Sequence, residues 1–519
     1  MKTVQRISDT WATMTADKGD LIERSEEYAR WTIPAIMPPD GMEGQEQVKG
    51  NVPTGARLVN HLANRIVEVL FPISRPFFTV AMTPEAKMEV EQELGEEQSG
   101  TMQEAVRDAT SRLEEVAIRK LKLTEYRPVA ILAAKHLIVT GNVLLRRMAD
   151  GSRVVYPVNR YGVHRDILGR ERKVVLCEKK RFSTFDEDTQ QSIREVHPNV
   201  KDEDDMELLT MYEYEGKRWK ITQEADSVPL DTTTYLNDAD YDLLVLDWSL
   251  HPGEHYGRGL VEDYAATFHN VDVCTEALMD LTAIIADIKF FVRPGSPLSM
   301  DLATLNAAPR GTYFPGNAED ISVPEMRARG DLGTINELVT KWEGELAQAF
   351  LMSNVRDAER VTAAEIRMLA NELESSFGGL YSQLAQSWQQ REAEYAISQV
   401  DFAAEIGKDS STFEVLVTTG LESLSREGQI DNLRLAVGDL QMMEAVPEDI
   451  RGAMNPLRFA KFVFTNRSVD LQAFLNTPEE MQANQEAAMA EAGRMQQQQG
   501  EANVAEHAGK AAVDAQQPK

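Results

Sequence analysis

Two cysteines, Cys177 and Cys274, are all that 519 residues contain. That excludes a disulfide framework and suits a reducing compartment. No unbroken apolar run reaches the ~18 residues that a membrane-spanning helix requires. The opening residues, MKTVQRISDTW, are polar and lack the apolar stretch of a secretion signal. Positive charge is scarce: 54 Lys and Arg face 84 Asp and Glu, a formal net charge of −30. A generally basic, phosphate-gripping surface is thereby excluded. Also missing are a G-x-x-x-x-G-K-[ST] phosphate loop, a G-x-G-x-x-G turn from strand to helix, and a G-x-S-x-G elbow. ATP hydrolysis, dinucleotide binding and that form of serine catalysis therefore lack their residues.

What is present is the composition of a globular protein of several domains, 42% hydrophobic and 27% charged. Residues 1–142 read as mostly helical. Thr54 to Leu70 carries Leu58, Leu62, Ile66 and Val69 on one stripe, with Pro72 just beyond. Met102–Leu121 and Arg127–Thr140 are further helices, separated from an acidic stretch at Glu85–Glu97, and Gly141-Asn142 breaks the pattern. Short β-branched runs follow at Val143–Leu145, Val154–Tyr156 and Val174–Leu176. Tyr212 and Tyr214 face Trp219 and Ile221 across Gly216 as a hairpin, so 143–250 reads as a small antiparallel sheet. Asp202–Asp205 is an acidic surface loop.

Helical spacing returns at Leu260, Tyr264, Phe268, Val271, Leu278, Leu281 and Ile285, ending before Pro294, Gly295 and Pro297. A Pro- and Gly-rich insert with a short strand at Thr312–Phe314 separates this helix from a second at Leu332–Met352. A polar loop, Ser353 to Glu359, then leads to a firmly capped helix. Thr362 is its N-cap candidate, Glu365 completes a capping box, and Val361 with Ile366 forms a hydrophobic staple. Ile366, Leu369, Leu373, Phe377, Leu380 and Leu384 make one stripe to about Phe402. At 1.5 Å per residue the helix spans about 60 Å if unbroken, and Gly378-Gly379 predicts a kink. Val415–Val417 reads as a brief strand. From Thr477 the chain is rich in Gln, Ala and Glu and cannot bury enough surface for one fold, so 477–519 is expected to be a disordered tail. One motif points to different chemistry. His251-Pro252-Gly253-Glu254-His255 matches H-x-x-E-H, the pattern of a zinc hydrolase. That chemistry needs both histidines on one face of a continuous helix, which Pro252-Gly253 opposes; a loop leading into a helix fits better.

Gly253-Glu254-His255-Tyr256-Gly257-Arg258-Gly259 with Glu262-Asp263-Tyr264, and Glu359 to Arg367 with Glu372-Leu373-Glu374 and Gly378-Gly379-Leu380-Tyr381, resemble the portal, or head-to-tail connector, proteins of short-tailed, podovirus-type bacteriophages. Thr32-Ile33-Pro34, Gly55-Ala56-Arg57-Leu58, Leu70-Phe71-Pro72, Thr140 to Leu145, Glu319 to Ser322 and Thr419 to Glu422 add to the resemblance in order. It covers roughly residues 20–435. It implies an α+β, mainly α, multi-domain ring subunit, usually one of twelve, at one capsid vertex. The implied parts are a wing over 1–262 (helical 1–142, β 143–250), stem helices 263–290 and 331–352, a clip at 291–330, and a tunnel loop at 353–361. A long wing helix at 362–409 and a helical crown at 410–476 complete them.

The implied partners are further copies of the chain, non-specific double-stranded DNA, the terminase large subunit, major capsid and scaffolding proteins, and a tail adaptor. The implied setting is the virion, after assembly in the host cytoplasm, with no membrane, cofactor, metal or catalytic residue. Ser353, Asn354, Arg356 and Arg360 would face the channel, Lys289, Arg293 and Lys341 would line stem and clip, and Thr362 with Glu365 would anchor the loop. Twelve copies at −30 each would carry a formal charge near −360, a wall that repels DNA and lets it slide. Two other classes remain open: a zinc-dependent hydrolase using His251, Glu254 and His255, and another non-enzymatic virion scaffold or adaptor.

Overall fold

The computed structural model describes residues 6–39, 49–72, 77–82, 124–286, 291–295, 321–322, 329–352, 363–398, 415–418, 437–440 and 456–466, with scattered positions between 112 and 122 and at 307 and 319. The readings of Glu85–Glu97, most of Met102–Leu121, Thr312–Phe314 and 477–519 lie outside them. Helices and strands are mixed, with helix predominating, and the chain divides into two units, Met1–Ser423 and Leu424–Lys519.

The first unit opens with α1 (Ile7–Asp17) and α2 (Gly19–Trp31). Next comes α3 (Gly55–Leu70), whose stripe of Leu58, Leu62, Ile66 and Val69 is buried as the spacing predicts. Strand β1 (Thr79–Met82) is followed by α4 (Tyr126–Thr140), whose Ala130, Ala133 and Ala134 allow close approach to α3.

The segment read as one sheet forms two. Strands β2 (Asn142–Arg147), β3 (Arg153–Tyr156), β4 (Tyr161–Arg165), β5 (Glu171–Arg181), β6 (Asp205–Tyr214), β7 (Arg218–Ala225), β8 (Val228–Asn237) and β9 (Leu243–Asp247) are all antiparallel to their neighbours. They divide into a three-stranded sheet, β3-β2-β9, and a five-stranded sheet, β4-β5-β6-β7-β8. The hairpin read at Tyr214 and Trp219 is the β6–β7 turn, with these residues paired. Both faces of the larger sheet are covered, as the two-residue period of a strand requires. Met206 and Leu208 pack with Phe182, Phe185 and Ile193 on one side. Leu209, Val175 and Cys177 pack with Ile7 and Met14 of α1 on the other. Ile193 belongs to a helix absent from the sequence reading, Glu187–Val196, whose N-cap Asp186 accepts from Thr189 N at 3.1 Å. Helix α1 is fastened at both ends. Buried Glu224 accepts from Ile7 N at 2.8 Å, and buried Lys18 donates to Val158 O at 2.8 Å.

Beyond the sheets, Leu260–Asp263 forms a short helix that stops at Tyr264, so the helix read across 260–290 is interrupted there. It restarts as a long helix at Ala265–Ala286. With Glu187–Val196 as α5 and Leu260–Asp263 as α6, this long helix is α7. Strands β10 (Phe291–Val292) and β11 (Ile321–Ser322) pair, and α8 (Arg329–Ala349) returns along α7. The helix read from Thr362 to Phe402 is not one rod. Helix α9 (Ala363–Ser376) ends because Gly378 and Gly379 both adopt left-handed backbone, at φ +60° and +95°. The predicted kink is therefore a break. Glu374 spans it, accepting from Ser382 N at 3.0 Å and Ser382 Oγ at 2.7 Å to cap α10 (Leu380–Leu384). A wider π-turn at Ala385–Gln389 and α11 (Gln390–Ser398) follow. Strand β12 (Val415–Thr418) pairs with β1. In the second unit, α12 (Pro456–Asn466) buries Val463 and Phe464 with Leu440 and Phe459 packed around them.

Candidate functional site

The α7–α8 pair is antiparallel because the start of one meets the end of the other. Phe268 of α7 packs edge-on against Phe350 at 5.9 Å, just past α8, and stacks on Trp31 at 6.3 Å. Phe268, Val271, Leu346 and Phe350 are buried, whereas Leu278 and Leu281 farther along are only half-buried. Asp272 fastens the pair to the body of the unit. Its carboxylate accepts from Arg30 Nη2 at 3.0 Å, from Trp31 Nε1 at 3.3 Å and from the Asn51 backbone N–H. At the other end, the two-residue β10–β11 ladder brings the chain back beside the point where it left, so the excursion between the helices is closed at its neck.

The exposed charge on the pair is one-sided. Among the residues of the two helices whose side chains are described, Glu276, Asp280, Glu337 and Glu345 are exposed carboxylates against a single exposed cation, Lys341. Lys341 lies 3.8 Å from Glu345, a solvent-screened contact of small energy. Arg293 is exposed beside the neck. Lys289 lies outside the described residues, as do Ser353, Asn354, Arg356, Arg360 and Thr362; Glu365 sits on α9, but its side chain is not described.

Segment 353–362 is flanked by Leu351-Met352 and by α9, and both flanks contact α3. On one side Leu351 takes left-handed backbone, φ +56°, immediately after the buried Phe350. Its carbonyl lies 3.2 Å from His61 Nε2. A carbonyl only accepts, so Nε2 carries the hydrogen. Burial lowers the His61 pKa and keeps the ring neutral, partly offset by that hydrogen bond. On the other side α9, which contacts α3, buries Leu369, Ala370 and Leu373.

The Gly253–Gly259 stretch is a joint. Gly141 caps α4 at φ +75°, and a Cβ there would fall 2.4 Å from Gly259 N. A Cβ on Gly259 would fall 2.7 Å from Gly141 N and 2.8 Å from Ile138 O. Buried Asn142 reads the backbone of Gly257 in both directions, donating to its carbonyl at 2.7 Å and accepting from its N–H at 2.8 Å. The H-x-x-E-H residues sit in this joint and serve other ends. Gly253 has φ +86°, so no helix joins the two histidines. His255 Nδ1 accepts from Arg165 N at 3.1 Å while the ring stacks on His164 at 4.8 Å. Glu254 pairs with Arg258 at 3.1 Å, and His251 is exposed. Among the described residues no group of three or more His, Cys, Asp or Glu side chains is placed to hold a metal. The zinc-hydrolase alternative fails on this geometry. Nor is any described helix long and apolar enough to cross a membrane.

A clamped helix pair, a closed excursion between its helices and glycine joints that admit no side chain are features of packing, and they do not by themselves assign a function. The family model described as "Bacteriophage head to tail connecting protein" matches residues 4–472, and the chain belongs to that family. The portal protein of Enterobacteria phage SP6 is 30% identical over 502 residues, 95% of this chain and 93% of the relative. That of Pseudomonas phage phiKMV is 30% identical over 94% of this chain and 96% of its own length. The portal protein of Escherichia phage T7 is 26% identical over 90% of this chain and 87% of its own. The portal resemblance read from the sequence is correct, and the protein is a head-to-tail connector of the podovirus type.

Proposed function

We propose that this chain is one subunit of a closed ring, usually of twelve in such proteins, at one vertex of the capsid. Double-stranded DNA enters and leaves through its channel. The terminase motor, and then the tail adaptor, dock on the ring, and the capsid and scaffolding proteins surround it; no step needs catalysis by the chain. In this reading α7 and α8 are the stem, the excursion between them is the clip, and 353–361 is the tunnel loop. Residues 1–262 and 362–409 form the wing, and 410–476 the crown. Family membership supports it. The observation on which it rests most is the acidic, exposed face of α7 and α8, fixed at its base through Asp272 and Phe350. Such a wall repels the phosphate backbone at all positions alike, so a duplex meets no deep trap as it slides. Lys289, Arg293, Lys341, Arg356 and Arg360 add weak, sequence-independent contacts.

Electron microscopy of the purified protein tests the ring, which should show a central channel; a monomer or an open filament would overturn the reading. Arg356→Ala with Arg360→Ala should impair DNA packaging or retention while rings still form. Loss of assembly in that variant would make those arginines structural.

A further inference from the structure

We propose that the β4–β5 turn is an apolar knob that docks on the neighbouring copy of this chain, with Ile167 and Leu168 as its anchors. This contact belongs to the ring read above and rests on that reading. Ile167 is 84% exposed and Leu168 72%, more than any other large apolar side chain among the described residues. Single exposed apolar residues need no explanation, but two together at the tip of a turn do. Asp166 to Gly169 form the turn, closed by Gly169 N donating to the Asp166 carbonyl at 2.9 Å. Ile167 and Leu168 hold its two central positions, where backbone geometry favours Pro, Asn, Asp or Ser and asks for no apolar group. The turn is also fastened from within. Asp166 Oδ1 accepts from Leu168 N and Arg170 N, each at 2.9 Å, and Oδ2 accepts from Arg172 Nη2 at 2.7 Å. Arg165 Nη1 donates to the Gly169 carbonyl at 2.9 Å. A tip held this way loses little freedom on docking, as a preformed contact requires.

The surroundings of the tip suit a protein partner. The antiparallel order β4-β5-β6-β7 puts the β6–β7 turn at the same end of the sheet. Arg172 joins the two turns, its guanidinium lying 5.1 Å from the centre of the Tyr214 ring. Across 166–172 and 214–218 four cations are exposed, Arg170, Arg172, Lys217 and Arg218, against one exposed carboxylate, Glu215. The chain as a whole has the reverse balance, 84 acids to 54 bases. Arg172 is spent on Asp166 and Arg218 on Glu215, which leaves Arg170 and Lys217, among the described residues, open to a partner. Apolar anchors ringed by cations have the make-up of an interface hot spot, and they match a surface that offers apolar area and carboxylates. A second copy of this chain is such a surface. Copies at −30 each repel on average, so a ring of them needs contacts where apolar area and opposite charge override the repulsion. A closed ring of identical subunits joins two unlike patches of the chain, and a projecting tip serves as one of them.

The test uses the full chain. Ile167→Ser with Leu168→Ser changes two exposed positions, so the circular dichroism of the subunit should stay as in wild type. Ring formation, followed by mass photometry over a concentration series, should need roughly 100-fold more protein, because each large aliphatic side chain buried at a contact is worth about tenfold or more. Replacing Leu168 with a photo-crosslinking phenylalanine analogue should give chain-to-chain products when assembled rings are irradiated. Serine-variant rings that form at the wild-type concentration, or labelled rings without chain-to-chain products, would overturn the knob and leave the ring reading standing. If the serine variant does not fold, Arg170→Glu with Lys217→Glu reads the same contact. Its assembly should be weaker than wild type at low salt, by a margin that shrinks as salt rises. Assembly of that variant like wild type at low salt overturns the knob. A wild-type chain that forms no ring at any concentration sinks the ring reading, and the knob with it.

Discussion

Asn142 holds the joint between α4 and the 253–259 segment, and its removal has a calculable cost. Its side chain is 2% exposed and makes three bonds: Nδ2 donates to Thr140 O at 2.8 Å and to Gly257 O at 2.7 Å, and Oδ1 accepts from Gly257 N at 2.8 Å. Each bond is worth ~1 kcal/mol net, and each Gly257 group left buried without a partner costs a further ~1–3 kcal/mol. Water entering the space left by the amide would recover part of this. Asn142→Ala should therefore destabilise by about 3–4 kcal/mol, well above the ordinary range for a polar-to-alanine change. Asn142→Asp has the same shape but loses both donors and sets a carboxylate against two carbonyl oxygens, so it should be at least as damaging. Urea unfolding followed by tryptophan fluorescence reads the stability. Amide exchange in a peptide spanning 253–260 reads the joint itself and should accelerate in both variants. Ser192→Ala, on the exposed face of α5, is the control and should change stability by less than ~0.5 kcal/mol. An Asn142→Ala protein within 1 kcal/mol of wild type, with unchanged exchange at 253–260, would refute the joint.

Three further outcomes follow from other buried groups. Arg153 and Glu392 form an ion pair at 2.6 Å with side chains 2% and 1% exposed, and the guanidinium lies over the rings of Tyr126 and Tyr395. Arg153→Met should cost about 3–5 kcal/mol by stranding the carboxylate, and adding Glu392→Leu should recover at least half in a double-mutant cycle. His136 is buried with Nδ1 unbonded, and burial pushes its pKa down to about 4 from 6.5. The unfolded chain thus binds a proton that the folded state refuses. Stability present above pH 6.5 is lost as pH falls toward 4, by about 2–3 kcal/mol, and His136→Leu should lose that much less between pH 7.5 and 4.5 in the same unfolding assay. Glu224→Ala removes the carboxylate at the start of α1, worth about 1 kcal/mol as a cap, and should raise tryptic cleavage after Lys18 several-fold while global stability falls by no more than about that amount.

Much of the fold can be read locally, and the misses have more than one cause. The α3 stripe, the α4 stop at Gly141, the β6–β7 hairpin and the strand at Val415 are specified by residues a few positions apart. The pairing of β12 with β1, and the division of eight strands into two sheets, depend on partners far apart in sequence, which periodicity does not reveal. The Glu187–Val196 helix has few apolar residues, but Asp186 as N-cap, acids in the first turn and Arg194 in the last were signals enough. From the sequence Gly378-Gly379 reads as a kink, since the apolar stripe continues past it; two successive left-handed residues end a helix regardless of the stripe. Part of the candidate site was equally visible: the two helices and their insert follow from spacing alone.

The motifs that carry the portal resemblance also explain why the zinc pattern is a decoy. Gly141, Gly257 and Gly259 occupy places where a Cβ would come within 2.4 to 2.9 Å of other atoms. Their identity is demanded by backbone packing, which makes the stretch a marker of fold rather than of chemistry. His251 and His255 fall in the turn that enters this joint, and a turn cannot present two imidazoles on one face as a helix does. The sliding of DNA proposed above would place the opposite demand on sequence. It needs charge of one sign over a wide surface with a few weak opposing contacts, and no fixed constellation of residues. Function of that kind would leave little motif and would show as an imbalance, such as four exposed carboxylates to one exposed cation among the described side chains of α7 and α8.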